Sequence, residues 1–99
     1  MNIGWLAGMY EGEGCIEKTS SNGFRLSIAS TDLDVLERIQ TLVGGSIRPL
    51  KRYQRHHKQA WKWRLGKKKD VTNFLSQIIP FLGNRRAYDA LNALDTMEI

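Results

Sequence analysis

Ile3-Gly4-Trp5-Leu6-Ala7-Gly8-Met9-Tyr10-Glu11-Gly12-Glu13-Gly14 opens the chain, and its physics decides how the rest is arranged. Small and large apolar residues over positions 3–12, closed by glycines, suit a helix. Glu11 and Glu13 fall at its carboxyl end, where acids oppose the helix dipole at a cost of about 0.3–1 kcal/mol each when exposed. A bound divalent cation would compensate. Gly8 and Gly12 stand four apart with Ala7 beside them, a spacing that lets two helix backbones approach closely. Two copies of this helix could then meet and bring two Glu13 carboxylates together; such a pair repels, and without a cation it tends to hold a proton. The other reading, a helix buried on its own sheet with both acids solvated, stands beside it.

Outward from this helix, the pattern alternates hairpin and helix. Gly14–Ser20 reads as a strand and Ser21-Asn22-Gly23 as a turn. Phe24, Leu26 and Ile28 alternate with Arg25, Ser27 and Ala29, a half-buried strand. Thr31 with Asp34 resembles a capping-box start for a helix through Leu33, Leu36, Ile39, Leu42 and Val43, stopped by Gly44-Gly45. A third strand is expected over Ser46–Tyr53, with Pro49 marking it as an edge or a bulge. Residues 54–59 form a basic loop with His56 and His57. Ala60–Gly66 is a fourth strand, with Trp61, Trp63 and Leu65 on one face. Val71, Phe74, Leu75, Ile78 and Ile79 define an amphipathic helix over 70–79, with Asp70 as its cap and Pro80 as its end. Asn84 caps a last helix whose apolar stripe is Tyr88, Leu91, Leu94 and Met97. The fold class is α+β, one domain spanning residues 1–99 with an antiparallel sheet.

The sheet has two unlike faces. Phe24, Leu26, Ile28, Trp61, Trp63 and Leu65 must rest on the helices, which makes packing rather than base stacking the role of the tryptophan pair. Glu17, Thr19, Arg25, Ser27, Arg48, Lys62 and Arg64 would face outward, and a curved, mostly basic sheet can lie in the major groove of DNA.

Charge points to the same class of partner. The net charge is +5, but residues 48–69 hold ten of the fifteen Lys and Arg and no acid. That block, which adds Arg52 and Arg55 to the candidate DNA contacts, is the footprint of a polyanion partner or else a solvated basic loop. Nothing at the amino terminus reads as a secretory signal and no apolar run is long enough for a membrane span, so the expectation is an intracellular, cytoplasmic, soluble protein. The one cysteine, Cys15, can form neither an intrachain disulfide nor a zinc site alone, and packs or faces DNA rather than acting as a nucleophile. The adjacent His56 and His57 point apart and lack companion ligands, which favours a phosphate-contacting or solvated loop over a metal site.

Leu6–Gly14 resembles the LAGLIDADG motif of homing endonucleases, in the variant written E-G-E-G, and Gly4-Trp5 and Cys15-Ile16 fit around it. Ser30-Thr31-Asp32-Leu33-Asp34-Val35-Leu36 with Val43-Gly44-Gly45 resembles the family's second helix and following turn. Phe74-Leu75 through Pro80-Phe81-Leu82 to Arg85-Arg86 resembles its helix–Pro–helix segment, so the likeness runs through nearly the whole chain. It implies an αββαββα core with a saddle-shaped sheet over DNA. Single-motif members form homodimers through their motif helices, implying an interface of Leu6, Ala7, Gly8, Glu11 and Gly12. The acid at the eighth motif position, here Glu13, is the implied metal ligand, with the Gly12 carbonyl beside it; many relatives have Asp there. Glu11, at the sixth position, would hold the helix pair or its ends. The basic residue near the scissile phosphate maps to Arg85, with Arg86 the second candidate, and a position often occupied by Gln falls on Ser30.

The activity implied is site-specific hydrolysis of double-stranded DNA by a homodimer, on a palindromic or nearly palindromic site, with Mg2+ or another divalent cation such as Mn2+. One Glu per subunit suffices chemically for Mg2+, which keeps water and phosphate oxygens as ligands. Two other readings share the fold: a DNA-binding module without cleavage, and an RNA-splicing maturase.

Overall fold

The computed structural model describes residues 3–19, 23–51 and 58–97. The element order is α1 (Ile3–Glu13), β1 (Gly14–Lys18), β2 (Phe24–Ser30), α2 (Leu33–Val43), β3 (Ser46–Pro49), β4 (Trp61–Leu65), α3 (Lys68–Ile78), a 3-10 turn (Ile79–Phe81) and α4 (Asn84–Met97). The four strands form one antiparallel sheet in the order β1-β2-β4-β3. Helices and hairpins follow the alternation expected from the sequence. Among the described residues no helix is long and apolar enough to cross a membrane.

Register explains the two faces. Leu26 sits across from Leu65 and from Ile16, and Ile28 across from Trp63. These side chains share one side because strand residues two apart point the same way. Helices cover that side: Leu6, Ala7 and Tyr10 of α1, Leu36 and Ile39 of α2, and Val71, Phe74, Leu75 and Ile78 of α3 close the core. Trp63 is its centre, with no exposed surface, a ring 5.9 Å from Phe74 and an indole N–H donating to the Gly44 carbonyl at 2.8 Å. That bond is possible because Gly45, at φ +97°, lets the chain turn back against the indole; a Cβ there would lie 2.5 Å from Nε1. Trp61 packs on the same core, half-buried, so both strand tryptophans serve packing.

Several expected boundaries shift, each for a local reason. α2 is capped at Asp32 rather than Thr31, because the Ser30 hydroxyl accepts the Asp32 N–H at 3.0 Å and holds the chain extended for one more residue. α3 begins at Lys68, with Lys67 in the cap position. Asp70 therefore lies inside the first turn, where its charge favours the dipole without capping it. β3 ends at Pro49, which cannot donate to a ladder, although Leu50 still donates to the Ala60 carbonyl at 2.8 Å. β3 is an edge, as the proline required. The β1–β2 hairpin closes with Thr19 donating to the Gly23 carbonyl at 2.9 Å; Ser21 and Asn22 of the expected turn lie outside the described residues.

The last helix keeps half of its expected stripe inward: Met97 is buried and Leu94 packs against the core, but Tyr88 and Leu91 turn outward. Ala90, Ala93 and Met97 are buried, whereas Tyr88 is 66% and Leu91 50% exposed. Small side chains let α4 approach the rest of the domain closely, and that closeness turns Tyr88 and Leu91 outward.

Candidate nucleic-acid interface and metal site

The outer face of the sheet is assembled by register. Cys15, Ser27, Arg64 and Ser46 form one row across four strands; Ala29, Lys62 and Arg48 form a second, and Glu17 with Arg25 a third. Five of the seven residues expected on this face, Glu17, Arg25, Arg48, Lys62 and Arg64, stand there with exposed or partly exposed side chains. Thr19 follows β1 at the hairpin, where its hydroxyl accepts the Gly23 N–H at 3.1 Å.

Ser27 is the exception. It occupies the expected face but is only 2% exposed. Glu17 bridges to Arg25 at 3.8 Å and to Lys62 at 3.4 Å. Because Lys62 pairs with Ala29 on one side of Ser27, and Glu17 with Arg25 on the other, the Lys62–Glu17 bridge closes diagonally above the hydroxyl. Ser27 is thereby removed from the residues a ligand can touch in this conformation. Arg52 and Arg55, with His56 and His57, lie outside the described residues.

Two acids end α1, and they part company. Glu11 faces inward: one oxygen accepts the Gly83 N–H at 3.0 Å and the other lies 3.8 Å from Arg86 Nε. Arg86 also donates to the Gly14 carbonyl and lies 5.8 Å from the Tyr10 ring centroid. This small network ties the end of α1 to the start of α4. Glu11 thus contacts Gly83 and Arg86 within its own chain. Arg86, offered by the sequence as a second basic group for the scissile phosphate, is turned into the same network, while Arg85 next to it is exposed.

Glu13 points away from all of this. It is exposed and, among the described residues, has no ion-pair or hydrogen-bond partner. It opens on a hollow lined by Met9, Ala29, Ser30, Thr31, Asp32 and Val35. Asp32 brings a second carboxylate to that hollow, a contribution hidden in the sequence because the capping pattern drew attention to Thr31. Gly12 is also exposed, and the last four carbonyls of a helix lack intrahelical partners, so its oxygen can accept a ligand. Among the described residues no cluster of three or more His, Cys, Asp or Glu side chains assembles. A donor set of one carboxylate and a backbone oxygen fits a hard cation that keeps waters and phosphate oxygens.

The exposed side of α1 is a line of glycines. Gly4, Gly8 and Gly12 are all exposed, and a Cβ built at Gly8 or Gly12 meets nothing within 4 Å. Leu6 and Ala7, expected at a contact with a second copy, are 1% and 2% exposed and belong to this chain's own core. Gly14 closes the helix for a steric reason: a Cβ there would lie 2.5 Å from both the Tyr10 ring and its carbonyl. Among the described residues the buried Tyr10 hydroxyl has no hydrogen-bond partner, and burial pushes its phenol above the ordinary value, with the Arg86 charge opposing in part.

Comparison with known proteins bears on this geometry. The homing endonuclease I-CvuI, solved in complex with the I-CreI target in the presence of Mg with the DNA not cleaved, is 20% identical; the match covers 97% of this chain and 65% of that one, at a TM-score of 0.72. I-SmaMI, bound to uncleaved DNA target with calcium ions, is 21% identical over 99% of this chain and 37% of that one, at a TM-score of 0.70. The archaeal intron-encoded homing endonuclease I-Vdi141I, complexed with DNA, is 22% identical over 82% of this chain and 57% of that one, at a TM-score of 0.60. This chain thus spans less than two thirds of the length of those solved chains, and the likeness is one of fold. A search of curated protein sequences found no match. The model of the LAGLIDADG-like domain matches residues 1–78. With the motif helix, the sheet and the fold agreeing, this chain belongs to the LAGLIDADG family.

Proposed function

We propose that two copies of this chain meet along the Gly4-Gly8-Gly12 side of α1 and together hydrolyse both strands of a nearly palindromic DNA duplex with a divalent cation. The observation that carries this reading is the unpartnered Glu13 carboxylate at the end of a helix whose glycine side is open. Glu11, two residues earlier, is instead held within the chain by the Gly83 N–H and the Arg86 charge. The cationic outer sheet supports DNA as the substrate, as do the DNA complexes of the similar folds.

A glycine side without Cβ atoms permits close packing of two helices, which would set both Glu13 carboxylates near one axis. Glu13 and the Gly12 carbonyl would hold Mg2+ or Mn2+, which when bound supplies charge stabilisation for the phosphate and a more acidic water. The cation would also offset the repulsion between the two Glu13 carboxylates. Arg85 lies in the first turn of α4, which the Arg86–Gly14 bond holds against the end of α1. It would donate to phosphate oxygens as negative charge develops, a contribution typically of about 10²–10³ in rate. Arg25, Arg48, Lys62 and Arg64 would seat the duplex and exclude other orientations.

Selection of cleaved sites from a randomised duplex library with Mg2+, run beside Glu13→Gln, tests the proposal. The wild-type chain should yield a nearly symmetric site, and Glu13→Gln should bind that site without cutting it. Equal cutting by both removes Glu13 from the mechanism. Salt-sensitive binding with no cutting in Mg2+ or Mn2+ would make the chain a DNA-binding module, and selective RNA binding would favour a maturase.

A further inference from the structure

Glu17 is the one acid in the four strands, and it stands on the cationic face. Phosphates repel a carboxylate, so an acid on a surface laid along DNA weakens binding unless it meets a donor. In the major groove the donors on base edges are the N4 amino group of cytosine and the N6 amino group of adenine. Arg25 is the Cα partner of Glu17 across the β1–β2 ladder. Acceptor and guanidinium fork therefore stand side by side. That arrangement complements a C·G pair, which places the cytosine amino donor beside the O6 and N7 acceptors of guanine. An A·T pair offers the amino group but only the single thymine O4 beside it, with a methyl group where the fork's second donor would go.

The ion pairs around Glu17 do not prevent this. Its bridges are long, 3.8 Å to Arg25 and 3.4 Å to Lys62, and the Glu17 and Arg25 side chains are 38% and 40% exposed. Pairs of this kind contribute little and exchange readily for other partners.

We propose that Glu17 and Arg25 read one C·G base pair in each half-site, Glu17 accepting from cytosine N4 and Arg25 donating to guanine. The inference rests on the DNA-binding reading above. Lys62, bridged to Glu17 in the free chain, is released toward phosphate when the base pair takes its place.

The test has two steps. Binding selection from a randomised duplex, with calcium in place of magnesium, gives the base preference of the wild-type, Glu17→Ala and Arg25→Ala chains. Both variants should lose preference at one and the same base pair per half-site, by about tenfold, the usual effect of one mismatch. The cytosine at that position is then replaced by a pyrimidin-2-one, which pairs with guanine but lacks the amino group. Wild-type binding should fall about tenfold on this duplex, while Glu17→Ala should bind both duplexes alike, a coupling that a double-mutant cycle isolates. Glu17→Gln, which keeps an acceptor, should retain part of the wild-type response. If Glu17 only braces the neighbouring cations, wild-type and Glu17→Ala will respond identically to loss of the amino group, and the proposal is overturned. Duplex binding without any sequence preference would overturn it too, whereas a wild-type chain that binds no duplex at all would remove the DNA-binding reading, and this inference with it.

Discussion

Arg86 joins three parts of one small network, so removing it should be costly. Arg86→Ala takes a donor from the Gly14 carbonyl and leaves the Glu11 carboxylate with the Gly83 N–H but no cation beside it. Charge-assisted bonds of this kind are worth about 1.5–3 kcal/mol, and the expected loss, read by urea denaturation, is in that range. Arg85→Ala should leave stability within about 0.5 kcal/mol and lower cleavage about 10²–10³-fold; the reverse assignment would show the opposite pattern. Tyr10 gives a pH-linked prediction. Burial raises its folded pKa above the ordinary 10.0, so the folded state holds the proton more tightly. The linked stability is complete below about pH 10, the unfolded value, and declines as pH rises beyond it. Tyr10→Phe should flatten that alkaline decline. Losing a buried hydroxyl with no partner, it should also unfold at neutral pH with equal or slightly greater free energy. A neutral-pH loss of more than about 1 kcal/mol would reveal a hydroxyl partner. At this scale the sequence shows which residue types gather at the end of the first helix, but not their directions. By residue type alone Glu11 and Glu13 look alike, and so do Arg85 and Arg86; the family resemblance ranked them, and the contacts between the end of α1 and the start of α4 show that Glu11 and Arg86 are the ones turned toward each other. Ser27 shows the same limit, since its burial depends on a diagonal bridge between β1 and β4.

α1 carries the prediction that belongs to elements. A Cβ at Gly8 meets nothing within 4 Å among the described residues, and the position is exposed, so Gly8→Leu should fold normally. Leucine should even strengthen the isolated helix, by somewhat less than the roughly 0.8–1 kcal/mol that separates glycine from alanine. Two such helices could no longer approach closely, so the same substitution should abolish association. A variant that pairs as well as the wild type would place the contact elsewhere. Element order was legible because period-two and helical patterns alternate cleanly, and because Gly44-Gly45 and Pro80 punctuate them. Helix starts were less so: Ser30 displaced the α2 cap by one residue, a choice between neighbouring hydroxyl groups that pattern alone does not make. In α4, Leu94 and Met97 pack inward as the stripe requires, and Tyr88 and Leu91 depart from it for a more general reason. Hydrophobicity favours Tyr88 and Leu91 as the buried face, whereas close packing favours Ala90 and Ala93, and here the closer approach prevails.

For the whole molecule, the sheet's cations and the charge of +5 require that duplex binding weaken with salt. Each phosphate neutralised adds about 0.9 to the slope of log K against log salt. A salt-independent affinity would exclude the sheet as the contact surface. The two-faced sheet was readable from alternation, and its cationic side from composition. The sequence also proposed an assembly through α1, and of the contact residues it named, Gly8 and Gly12 lie on the open side of that helix while Leu6 and Ala7 fill the chain's own core. Sedimentation equilibrium of the chain on its selected duplex tests that assembly most directly. The account predicts two copies per duplex, a protein mass of twice 11.3 kDa, falling to one copy with Gly8→Leu. One copy per duplex for the wild-type chain at every concentration, or two copies undisturbed by Gly8→Leu, would contradict it.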